Sequence, residues 1–154
     1  MTVHHPAFLQ LFQGSDTFLA VQNYYLTGSV TVSGVEYQFL DFSVAGMTSS
    51  TNADSSTTQV TLPALTTVVL QTEQALAQGW LARLRIYRFE ADTGPTSPPS
   101  GQTTMVDIIG EVTGATSPSD AIMTMEIGSA LAPIGAQIPP RRFTSALVGV
   151  PARL

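Results

Sequence analysis

Apolar and polar residues alternate over several short stretches of this chain, and the period of that alternation predicts most of its elements. Residues 18–21, 29–32 and 35–42 read as strands; in the third, Val35, Tyr37 and Phe39 share one face, because strand side chains repeat every two residues. Ser33 and Gly34 separate the second run from the third, the spacing of a tight hairpin. Residues 59–62 read as a short strand that Pro63 stops. Over residues 64–78 the period changes. Leu65, Val68, Val69, Leu70, Ala75 and Leu76 recur with Glu73, Gln74 and Gln78 among them, and Gly79 follows, which predicts one amphipathic helix closed by a glycine. Leu65, Val69, Leu76 and Trp80 are expected to bury against the sheets, although the β-branched start Thr66-Thr67-Val68-Val69 weakens the first turn.

Residues 80–91 alternate again, with Leu81, Arg83, Arg85, Tyr87 and Phe89 on one side and Trp80, Ala82, Leu84, Ile86, Arg88 and Glu90 on the other. This is a long strand with apolar side chains on both faces. Residues 105–112 and 121–127 predict two more strands, joined through residues 113–120 as a second hairpin. Residues 48–58 are almost all small and polar, with nothing to bury, and residues 92–102 carry Gly94-Pro95 and Pro98-Pro99; both read as loops. The end of the chain holds Pro133, Pro139, Pro140 and Pro151 without any period. Proline fixes the backbone extended and removes a donor, so this stretch reads as an arm. The expected organisation is a β-rich core domain over residues 1–131 and a proline-rich C-terminal arm over residues 132–154. The fold class is mainly β with one helix (α+β).

Composition narrows the function. With 44% hydrophobic residues the chain is able to fold, and 154 residues bury roughly two thirds of the surface exposed when unfolded. Only 11% of residues are charged, less than half the usual share, so Ser, Thr, Gln and Gly cover much of the surface. Such surfaces are common against other protein, and equally in Thr-rich strands. All six basic residues are arginines (Arg83, Arg85, Arg88, Arg141, Arg142 and Arg153), the cation favoured at interfaces; Arg-biased codon usage explains the same fact. A net charge of -5 opposes attraction to phosphate backbones, so no direct nucleic-acid binding is expected. Residues 1–14 hold no cationic leader and no run approaches a membrane span, so neither secretion nor membrane insertion is expected.

The usual catalytic constellations are missing from the pattern. The two histidines, His4 and His5, are adjacent and would point to opposite faces of a strand, a poor metal pair unless several copies meet. They are also the only imidazole bases for a serine nucleophile. Asp107 and Glu111, or Glu90 and Asp92, are spaced as carboxylate pairs, but carboxylates alternating along a strand more often face solvent. No glycine pattern places a phosphate loop between a strand and a helix. The expectation is a non-enzymatic chain with no cofactor and no metal.

A resemblance sharpens this. The stretches Asp107-Ile108-Ile109-Gly110-Glu111-Val112, Ile122-Met123-Thr124-Met125-Glu126-Ile127 and Ile138-Pro139-Pro140-Arg141-Arg142-Phe143-Thr144 resemble the closing portion of minor tail and hub-associated proteins of long-tailed bacteriophages. The order of hairpin, helix, long strand, two strands and proline-rich end is similar to their small tail-tube-like and tip proteins. The resemblance implies a tail-tube-like split β-barrel or β-sandwich packed on a single helix, located in the virion tail after synthesis in the host cytoplasm. It implies a structural subunit of the tail tip or baseplate that forms a homo-oligomeric ring or hub adaptor with neighbouring tail proteins. Pro139, Pro140, Arg141, Arg142, Phe143 and Arg153 are the expected protein-interface residues, with Arg141 and Arg142 pairing carboxylates or carbonyls and Phe143 filling an apolar pocket. The rival for the arm is a last edge strand over residues 143–150 on its own domain. The alternatives for the whole chain are a receptor- or carbohydrate-binding module using Tyr24, Tyr25, Tyr87 and Trp80 as a platform, and a hydrolase of unassigned substrate.

Overall fold

A computed structural model describes residues 2–26, 28–46, 57–92 and 101–129. The described residues form ten strands and one helix, a mainly β architecture as the periodicity predicts. In chain order these are β1 (Thr2–His4), β2 (Ala7–Gln13), β3 (Asp16–Gln22), β4 (Val30–Val32), β5 (Val35–Phe39), β6 (Ser43–Ala45), β7 (Thr58–Pro63), α1 (Thr66–Gln78), β8 (Leu81–Ala91), β9 (Thr103–Ser119) and β10 (Ile122–Ser129).

The strands form one open mixed sheet in the order β4-β5-β3-β2-β8-β9-β10-β7-β6, with β1 beside the far end of β8. Among the described residues only β3 and β5 run parallel; the other ladders are antiparallel. The sheet is strongly curled. Leu9 and Leu11 of β2 share one core with Val60 and Leu62 of β7, four ladder steps away, which a flat sheet would hold about 19 Å apart. Among the described residues no ladder joins β4 to β6, so the sheet curls without closing into a barrel.

The curl depends on β9. Its first part, through Glu111, pairs with β8, and its last part, from Gly110, pairs with β10. Gly110 lies where the two ladders overlap, and a Cβ there would come within 1.9 Å of the Gly128 carbonyl oxygen, so only glycine allows the strands this approach. The expected connection over residues 113–120 is therefore corrected. β-Branched Thr113 and Thr116 continue the strand as far as Ser119, and the turn shrinks to Asp120 and Ala121.

Alternation divides the interior in two. Ala7, Leu9 and Leu11 of β2 join a large aliphatic core with Leu84, Met123, Met125, Ile127 and the helix, whereas Phe8 joins a smaller aromatic core with Tyr25, Tyr37 and Tyr87. Burial from both sides explains why β2, hidden in the N-terminal 14 residues, reads as a bare apolar run rather than an alternating one. The hairpin β4–β5 turns through Ser33 and Gly34, both at positive φ, in the primed-turn manner expected of that spacing.

The helix starts two residues later than expected and ends on Gly79 in the left-handed conformation, whose N–H bonds back to the Ala75 carbonyl. Its buried face is Val68, Thr72 and Ala75, with Val69 half-buried, while Leu65 and Leu76 are exposed, contrary to expectation. Small residues at these positions let the helix approach β9 and β3 closely. The Thr72 hydroxyl, fully buried, donates to the Val68 carbonyl and so enters the core without an orphaned donor. Trp80 is buried, as expected.

Candidate assembly surface

β3 is paired unequally on its two sides. Toward β2 its ladder runs from Asp16 to Gln22; toward β5 it pairs only at Val21–Gln38 and Gln22–Phe39. Upstream of that point β5 pairs with β4 on its other edge, and Tyr37, Val30 and Val32 are buried beside Phe8. On that side, residues 16–20 of β3 have no partner strand among the described residues.

Beside this edge lies an open groove of about 420 Å³, lined among others by Phe18, Leu19, Glu36, Phe39, Leu65 and Val68. Phe18, Phe39 and Leu65 are 37%, 37% and 53% exposed, a large apolar exposure to gather at one place. A bulge sets the position of Phe18. Leu19 pairs with Leu11 and Thr17 with Phe12, leaving Phe18 as the extra residue, and its ring stacks flat on Trp80 at 3.7 Å. The groove wall is therefore firm.

The turn after β3 fixes where the open edge ends. Gln22, fully buried, accepts from the Tyr24 and Tyr25 amides at 2.8 and 2.7 Å and donates to the Tyr25 carbonyl at 2.6 Å. Asn23 donates to the Phe42 carbonyl, tying the chain after β5 to the end of β3. Burial pushes the Tyr25 hydroxyl up to about 12, with Tyr24 adding to the effect.

Elsewhere on the sheet, Arg83 grips Asp107 with two parallel bonds, Nε to Oδ1 at 2.9 Å and Nη2 to Oδ2 at 2.6 Å. Arg85 stands 3.8 Å from the same carboxylate and donates to the Ser33 hydroxyl at 3.1 Å, linking β8 to the β4–β5 turn. The hydrogen bond from Arg83 holds the Asp107 carboxyl below the usual carboxylate range. A general acid must carry a proton, which this arrangement disfavours at Asp107; the bidentate geometry is that of a cross-strand tie. Glu90 pairs with Arg88 on its own strand.

The structure separates the other residues singled out in the sequence. Tyr25, Tyr87 and Trp80 are buried, so the platform expected of them with Tyr24 is not at the surface; those three rings are core residues. Tyr24 is half-buried, its hydroxyl 2.9 Å from His4 Nδ1, and His4 stacks on Phe89 while His5 is exposed. Among the described residues no three His, Cys, Asp or Glu side chains gather as a metal site would need, and no helix is long and apolar enough to cross a membrane. Pro139, Pro140, Arg141, Arg142, Phe143 and Arg153 lie outside the described residues, as do the loop centred on residues 48–56 and the proline stretch 93–100. The β3 edge was not legible in advance, because it depends on where β5 leaves its neighbour rather than on any residue type. No protein-family model matches the chain, and no curated protein matches it.

Proposed function

We propose that this chain is a structural subunit of a bacteriophage tail tip, working by assembly with other protein chains in a ring or hub adaptor. The observation that carries the assembly reading is the unpaired stretch of β3 beside an apolar groove. An open edge offers a row of backbone donors and acceptors that another chain completes, and natural sheets protect such edges unless they are used. Low charge and a surface rich in Ser, Thr and Gln fit the same purpose. The tail assignment rests on the resemblance of the segments around Asp107, Ile122 and Ile138.

Mass spectrometry of purified phage particles that encode the chain, combined with antibody labelling under the electron microscope, tests this reading. Stoichiometric chain in the particle, with label at the free end of the tail, is the expected result. Particles that lack the chain while infecting normally would refute it.

A further inference from the structure

Resting on the assembly reading, we infer that the groove beside β3 receives residues 143–150 from the C-terminal arm of a neighbouring copy, added to the open edge as a strand. The edge free for pairing, Asp16 to Ala20, is about 17 Å long, room for five residues of an added strand. Phe143, Ala146, Leu147, Val148 and Val150 give the arm the apolar, β-prone stretch that such an edge and groove require.

Charge supports the match. Asp16 at the start of β3 and Glu36 in the groove wall are exposed and make no ion pair among the described residues, and Arg141-Arg142 directly precede Phe143.

Reach allows a neighbouring copy as well as the arm's own domain. The described chain ends at Ser129, which lies across from Gly110, then Ala82, Leu11 and Leu19 in successive strands, so its own groove is about 19 Å away or nearer. Residues 130–142, marked by Pro133, Pro139 and Pro140, span about 40 Å when extended. That is enough to cross to the groove of a second subunit. A contact in which one copy's arm fills the next copy's groove is head-to-tail, the kind that closes rings.

The chain contains no cysteine, which makes a pair of introduced ones unambiguous. Thr67→Cys places a thiol in the exposed first turn of the helix on the groove wall, and Leu147→Cys places one in the arm. The two full-length single variants are mixed and mildly oxidised, with Ser119→Cys, at the far end of β9, replacing Thr67→Cys in a control mixture. The expected result is a mixed covalent dimer of twice the 16.3 kDa chain mass, enriched about tenfold over the control as local concentration dictates. Equal yields in the two mixtures would overturn the inference. So would a double variant that closes a disulfide within one chain at high dilution, since the arm would then fill its own groove. If cross-linking fails while the protein still sediments as an oligomer, the docking site is wrong and assembly stands; if it also sediments as a single chain, both fall.

Discussion

β10 and β3 are both strands of one sheet, yet only one of them is finished. β10 is paired along both sides, with β7 from Ile122 to Ile127 and with β9 from Ile122 to Ser129, and Met123, Met125 and Ile127 are sealed in the aliphatic core. β3 is paired fully on one side and for two residues on the other, and Phe18 stands partly open above its free edge. The difference lies at β5, which pairs with β4 from Val35 to Tyr37 on one edge but meets β3 only at Gln38 and Phe39 on the other. Among the described residues this side of β3 stays open, and the proposed assembly rests on that opening.

The contrast can be broken most severely at β10. Met125→Asp would place an unpaired charge in a fully buried site and should abolish cooperative folding, seen as loss of a thermal transition. Next is the residue that ends the open edge. Gln22→Leu keeps volume but orphans two amides and a carbonyl, and should cost about 3 kcal/mol in a urea titration.

Two pH effects follow in size. Tyr25 has a raised pKa in the fold, so its stabilising contribution is complete below the unfolded value near 10 and is lost as pH rises toward 12. Alkaline melting should therefore drop by roughly 2 kcal/mol, and Tyr25→Phe should remove that drop. Asp107 has a lowered pKa, so its contribution is present above the unfolded carboxylate value and fades as pH falls below it. Since both partners of the Arg83 pair are partly exposed, screening leaves under about 1 kcal/mol for Asp107→Asn to abolish in acid melts.

Much of β5, β7, β8 and the helix could be read directly from periodicity and from Pro63 and Gly79, since buried and exposed positions alternate along each of them. β2 could not, because a strand covered on both sides loses its alternation. The buried helix face misled for a different reason. Leu65 and Leu76 are the larger apolar residues, but the interface selects Val68, Thr72 and Ala75 for close approach, a demand of the partner strands rather than of the helix. The candidate site was the least legible part. Phe18 and Phe39 sit in correctly expected strands, but their meeting at an open edge follows from a bulge and a diverging neighbour, both tertiary outcomes.

If this chain completes its fold by association, its mass in solution should reveal it across a wide concentration range, measured beside Phe39→Ser. Phe39 is partly exposed at the groove, so the substitution should cost about 1–2 kcal/mol and leave the protein folded, which its thermal transition checks. The unaltered protein should scatter light as an oligomer, its mass rising with concentration above the 16.3 kDa of one chain, and Phe39→Ser should shift this toward the single chain. A mass of one chain at every concentration, unchanged by the substitution, would contradict it.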